Sequence, residues 1–184
     1  MTRNLILLLS VGCLVAVAVL SGERVLSGTS EEGPLAADAR AIMQTLPHLN
    51  GPLVTDATFD DKVLIVTFFA SWCPPCRQEF ADLSAVYRQY RQAGLEVVAI
   101  NLFEDFDNFS DDERLAAFLE LTQPPFTVVK GNDAISQQFG TIRRIPSLFV
   151  FDRQGRRVLA FAHERGAQAT LDAAALRQVI SPLL

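Results

Sequence analysis

The feature that most constrains the fold is an uncharged run, Val63 to Phe69 (VLIVTFF), followed three residues later by Cys73-Pro74-Pro75-Cys76. A seven-residue run in which all but Leu64 are β-branched or aromatic, too short for an independent helix, reads as a strand buried on both faces. Such a strand needs helices above and below its sheet, which points to an α/β layer fold. The next segment supplies one of them. Between Pro75 and Ala93, the residues Phe80, Leu83, Val86, Tyr87 and Tyr90 fall on one helical face, and Gly94 closes the helix.

The rest of the chain continues the alternation. Leu95 to Leu102 (LEVVAINL) predicts a second buried strand, and Ser110 with Glu113 forms a capping box for a helix reaching about Leu121. Phe126–Lys130 predicts a short strand, Asp133–Phe139 a short helix ended by Gly140, and Ser147–Phe151 another strand. Asp152 to Gly155 (DRQG) turns the chain into a strand of about Arg157–Phe161, and Leu171–Ile180 forms the last helix. The expected fold is therefore a central mixed β-sheet flanked by helices. A short helix over Ala36–Leu46 precedes it, and there is no internal repeat.

The amino terminus has a different character. After Arg3, the sixteen residues Leu5 to Leu20 carry no charge, giving a helix about 24 Å long that Ser21 and Gly22 extend toward a bilayer's hydrocarbon thickness of about 30 Å. An anchor is expected, with signal cleavage near Leu20-Ser21-Gly22 or lipidation at Cys13 as alternatives. Each places the domain outside the cytoplasm, and the anchor tethers it to the cytoplasmic membrane by residues 5–22. Residues 1–22 are read as the signal segment, 23–45 as linker and short helix, and 46–184 as the folded domain. With 184 residues, 49% of them hydrophobic, one core can form without disulfide staples or a structural metal. A net charge of −5 leaves no footprint for nucleic acid.

Cys73 and Cys76 lie where a buried strand gives way to a long helix. A thiolate there faces unpaired N–H groups and the positive end of the helix dipole, so its pKa falls and it can attack a disulfide. Cys73 is expected to be the nucleophile. Cys76, nearly one turn on, is expected to resolve the mixed disulfide. Pro74 and Pro75 lack N–H groups, leaving mainly Cys76 N–H to stabilise the thiolate, which favours a reductant over an oxidant. A zinc site would need a second cysteine pair or spaced histidines, and His48 and His163 are remote in sequence. No metal and no cofactor are expected beyond the redox-active cysteine pair. Copper delivery is disfavoured because Met1 and Met43 are the only methionines. A purely structural disulfide and a thiol peroxidase, which sets its cysteine in a threonine-rich pocket, are the remaining alternatives.

The segment FFASWCPPCRQEF resembles the active site of the thioredoxin superfamily, and IRRIPSLFVFDRQGR resembles its cis-proline loop and hairpin. The similarity covers about Leu46 to Leu184. With the anchor, LPHLNGPLV before the first core strand and the insertion around Asn101 to Thr122, the chain resembles the TlpA/ResA-like membrane-anchored thiol reductases.

That resemblance implies a cis peptide at Pro146, with Ile145 pairing its backbone to an extended client segment and Trp72 covering the sulfurs. Arg143 and Arg144 flank this docking loop. Thioredoxin's buried Asp six residues before the first cysteine is replaced here by Thr67, which makes Glu79, three residues after Cys76, the candidate proton acceptor. Ser147 departs from the Pro-Glu of haem-ligation partners of the CcmG kind. The function implied is reduction of protein disulfides in cytochrome c maturation or related metalloprotein assembly. Its partners would be a disulfide-bearing client and a membrane thiol electron donor of the DsbD/CcdA kind. A disulfide oxidase or isomerase is the nearest rival. No dimerisation segment is visible, so a monomer is expected. The acidic run Glu104, Asp105, Asp107, Asp111, Asp112 and Glu113 is expected to be a solvated face.

Overall fold

The computed structural model describes residues 34–104, 112–163 and 169–184. The expected anchor, Cys13 and the Ser110 cap lie outside them. Among the described residues no helix is long and apolar enough to cross a membrane. The helices are α1 (Ala37–Thr45), α2 (Pro74–Tyr90), α3 (Asp112–Thr122), α4 (Asp133–Gln138) and α5 (Ala173–Ile180). The strands are β1 (His48–Asn50), β2 (Val63–Phe69), β3 (Leu95–Asn101), β4 (Thr127–Lys130), β5 (Ser147–Phe151) and β6 (Arg157–Ala162).

The strands form one sheet in the order β1-β4-β3-β2-β5-β6. β2, β3 and β4 run parallel, while β5, β6 and β1 pair antiparallel to their neighbours. This is the mixed sheet that the alternating pattern predicts. All seven residues of β2 are buried, and alternate side chains serve opposite cores. Val63, Ile65 and Phe69 pack with Phe80 and Leu83 of α2, Phe118 of α3 and Leu176 of α5. Leu64, Val66 and Phe68 pack with Met43 of α1 and Ile135 of α4. Each large apolar side chain moved out of water here contributes about 1.5–3 kcal/mol.

Phe80 ties the layers together, with its ring centroid 4.6 Å from Phe69 and 4.9 Å from Phe118. At these separations tilted and edge-on rings gain about 0.5–1.5 kcal/mol beyond burial. The early helix α1 packs on the sheet through Ala39 and Met43, and Leu35 N–H donates to Gly155 O, 2.7 Å away. The chain thus joins the body of the domain from residue 35 onward.

Differences from the sequence expectations are local. β1 is an added strand within LPHLNGPLV, exposed to half-buried and three residues long. Gly51 follows it with φ of 80°, and a side chain there would run into the Phe126 backbone. α5 begins at Ala173, two residues later than the apolar pattern suggests, because Asp172 Oδ1 accepts from Ala175 N–H at 2.8 Å and caps it.

For the site, the decisive pairing is β2 with β5: Phe68 faces Ser147 and Thr67 faces Leu148. It brings the carboxyl end of β2, which leads to Cys73, beside the amino end of β5, which follows Pro146.

Candidate active site

Cys73 is the N-cap of α2, with extended backbone (φ −89°, ψ 107°), and Pro74 and Pro75 open the helix. Pro is suited to a first turn because the missing N–H had no helical acceptor. The consequence is chemical: Cys73 Sγ accepts from Cys76 N–H at 3.3 Å, and the two prolines between have nothing to offer. Cys73 and Cys76 are joined as a disulfide, with Cα atoms 5.3 Å apart. Cys73 borders two surface grooves, whereas Cys76 is fully buried under the helix start. In the reduced protein, brief iodoacetamide treatment near neutral pH should therefore modify Cys73 and spare Cys76. Peptide mapping checks this, and preferential labelling of Cys76 would reverse the two roles.

The loop before Cys73 is braced from the neighbouring strand. Glu104 Oε1 accepts from Ser71 N–H and from Asn101 Nδ2, each at 2.6 Å, and Glu104 Oε2 accepts from Ser71 Oγ at 2.7 Å. Trp72 Nε1 donates to Phe103 O at 2.7 Å. Hydrogen bonds to a charged acceptor are about twice as strong as neutral ones, so this clamp holds the loop firmly. Glu104 is 7% exposed, which corrects its assignment to a solvated acidic face. Nothing in the local sequence separates it from its acidic neighbours, since its partners come from residues 71 and 101.

Glu79 lies on α2, one turn beyond Cys76, and is fully buried. Its Oε1 accepts from Thr67 Oγ1 at 2.5 Å, while Oε2 is buried with no hydrogen-bond partner. Thr67 Oγ1 also lies 3.3 Å from Ser147 O, so the carboxyl group sits between α2, β2 and the start of β5. Burial pushes its pKa up to about 7, the Asp82 charge adds to the rise, and the Thr67 hydroxyl opposes it. Glu79 is not a solvated helix-start residue. It is a buried carboxyl group whose pKa is raised into the neutral range.

The Ile145–Pro146 peptide bond is cis. Ser147 Oγ donates to Arg144 O at 2.8 Å, and His163 N–H donates to Pro146 O at 3.0 Å. An open groove of about 660 Å³ runs between this loop and the cysteines, lined by Trp72, Cys73, Pro74, Pro75, Phe103, Arg143, Arg144, Ile145 and His163. A smaller one of about 280 Å³ lies on the other side of Trp72 and Cys73, against Arg77 and the α3 residues Arg114, Ala117, Phe118 and Leu121. Trp72, Cys73 and Pro74 border both.

His163 is remote in sequence but not in space. β6 pairs with β5 so that Ala162 faces Ser147, which carries the next residue to the proline loop. His48 lies instead at the far edge strand, where Nε2 contacts Gly51 O at 2.8 Å. Among the described residues, no three His, Cys, Asp or Glu side chains gather to hold a metal.

A family model described as AhpC/TSA matches residues 38–158. The chain belongs to the AhpC/TSA family. Its fold is thioredoxin-like. Among curated proteins it is 26% identical over 127 residues to the thiol-disulfide oxidoreductase ResA of Geobacillus thermodenitrificans, covering 69% of this chain and 70% of the relative. It is 24% identical to ResA of Bacillus subtilis, over 83% of this chain and 76% of the relative. A thiol:disulfide interchange protein DsbE from Chlorobium tepidum superposes with a TM-score of 0.59 at 30% identity, covering 75% of this chain and 90% of that one. The chemistry available to a paired thiol at a helix start is thiol–disulfide exchange, and the relatives bear the names of thiol-disulfide oxidoreductases.

Proposed function

We propose that this chain is an extracytoplasmic reductase of protein disulfides. One observation carries the direction: with Pro74 and Pro75 opening α2, Cys76 N–H is the backbone donor that meets Cys73 Sγ, at 3.3 Å. A sparsely stabilised thiolate makes the dithiol the less favoured form, so the pair tends to give electrons away.

In the proposed cycle, the Cys73 thiolate attacks one sulfur of the client disulfide. The client S–S bond breaks, a mixed disulfide forms at Cys73, and the departing client thiolate takes up a proton. Cys76 then loses its proton to Glu79 and attacks Cys73 Sγ, which expels the second client thiolate. The client has gained two electrons, and the protein is left with the Cys73–Cys76 disulfide seen in the structure. Trp72, Ile145 and Arg144 border the groove in which the client would lie, with the backbone beside Pro146 holding it extended.

Regeneration requires a dithiol donor, for which a membrane thiol carrier of the DsbD/CcdA kind is suited. The clients would be proteins of cytochrome c maturation or related metalloprotein assembly, met by a domain tethered through residues 5–22. Among the described residues no threonine lines either groove beside Cys73, which disfavours peroxide as the substrate.

The test is to express Cys76→Ser in the native membrane. Loss of the resolving thiol should make mixed disulfides accumulate at Cys73, and these identify the clients. If Cys73 captures no protein while the parent still exchanges disulfides, the assigned roles fail.

A further inference from the structure

The proposed cycle leaves one proton without a source: the client thiolate expelled by Cys73 becomes a thiol beside the larger groove. Glu79 does not supply it, because that carboxyl group is buried beneath the helix start and borders neither groove. Among the described residues lining the larger groove, the ionisable side chains are Cys73, Arg143, Arg144 and His163. Cys73 is the nucleophile, and a guanidinium does not release its proton in a protein. Imidazole is the side chain that both holds and gives up a proton near neutral pH. The fold brings His163 here and leaves its ring unused. The β5–β6 ladder sets Ala162 opposite Ser147, and the N–H of the next residue donates to Pro146 O at 3.0 Å, so the backbone of His163 is tied to the loop that is to hold the client. The ring is not tied in the same way. Its Nδ1 is buried with no hydrogen-bond partner, so no carbonyl or carboxylate at that nitrogen fixes the imidazole as it does in a histidine with a structural task. Nε2 is the nitrogen left to meet a molecule in the groove.

We infer that His163 is a further catalytic residue, the acid that protonates the departing client thiolate. This role rests on the exchange chemistry proposed above and deepens it. Displacement at sulfur is in line, so as Cys73 Sγ bonds to one client sulfur the other recedes on the far side, away from Cys73 and into the groove that His163 lines. The electron pair of the broken S–S bond stays on the receding sulfur. The Nε2 proton of the imidazolium passes to that sulfur, and the neutral imidazole recovers a proton from water. A thiol that leaves poorly gains most from such an acid, and one that departs readily as a thiolate gains little.

The test uses reduced full-length Cys76→Ser, in which Cys73 attacks once and keeps the adduct. At neutral pH it is given one of two uncharged disulfides, hydroxyethyl disulfide, whose alkyl thiol leaves poorly, or nitrophenyl disulfide, whose aromatic thiol leaves readily. Peptide mass spectrometry follows the adduct on Cys73, which keeps Cys13 out of the reading. When His163→Gln is added, the ratio of the alkyl rate to the aromatic rate should fall about tenfold. With His163 in place, heavy water should lower the same ratio about twofold, because a proton moves in the alkyl transition state. That second measurement needs no replacement at 163, so it decides the question even where the variant is poorly folded. A ratio unchanged by the replacement, whether both rates fall together or neither falls, overturns the role of His163 and leaves the exchange chemistry standing. So does an alkyl rate no more sensitive to heavy water than the aromatic one. If Cys73 forms no adduct with either disulfide, the exchange chemistry itself is overturned, and the role of His163 with it.

Discussion

The Cys73–Cys76 couple is expected to equilibrate with dithiothreitol near thioredoxin's potential of about −270 mV, far from the strong oxidant DsbA at about −120 mV. That separation of about 150 mV corresponds to about 7 kcal/mol for a two-electron couple, enough to fix the direction of electron flow. The expectation follows from what meets the sulfur. A strong oxidant is one whose reduced form is stabilised, which requires donors around the nucleophilic thiolate. Here the helix start spends its first two positions on prolines, and Sγ receives Cys76 N–H at 3.3 Å. Glu79, once ionised, adds a negative charge one turn beyond Cys76, which further disfavours a thiolate. A midpoint above about −180 mV would overturn the reductase assignment and favour the oxidase.

Replacing Glu79 should change how stability depends on pH. In the folded, oxidised protein its pKa is pushed up from 4.5 to about 7 by burial. Between those values the native state holds a proton that the unfolded chain has released, so stability falls as pH rises through the window. The contribution is fully present below pH 4.5 and lost above about pH 7, a change of about 3 kcal/mol at 1.36 kcal/mol per unit. Glu79→Gln has no proton to lose. Urea unfolding at pH 4.5 and pH 8 should show the parent losing about 3 kcal/mol more than the variant across that interval. Comparing differences cancels the other titrating groups, and it cancels the cost of the Gln amide at the unpartnered Oε2 position. The variant should also reduce clients more slowly, because it lacks the carboxylate proposed to take the proton of Cys76. Parallel pH curves would show that Glu79 is not a buried acid, and unchanged turnover would remove it from the proton path.

The parts of this molecule legible in its sequence are those whose signal is local. β2 and α2 announce themselves because seven uncharged residues and a helical stripe each fall within one contiguous segment, and the cysteine pair sits at their junction. Glu79 could be named from its spacing to Cys76, although its burial depends on Thr67 and Ser147 from other strands. What the sequence conceals is set by register. β1 is short and gains its identity from β4. Glu104 looks like any member of an acidic run until Ser71 and Asn101 surround it. His163 reaches the proline loop through the β5–β6 ladder, and the arginines of the two grooves come from α2, α3 and the loop before β5.

That Phe68 faces Ser147 across the ladder also sets the tolerance of the molecule to change. Each rung fixes the gap between sulfur and proline as a tooth fixes the position of a rack. A slip that keeps every side chain on its proper face must be two residues, carrying Pro146 about 7 Å along the strand. The gauge is therefore all or nothing, and it is set by backbone pairing between strands far apart in sequence. Natural drift or deliberate grafting can thus recharge exposed positions such as Arg77 on α2 to suit a new client while the reacting atoms keep their spacing.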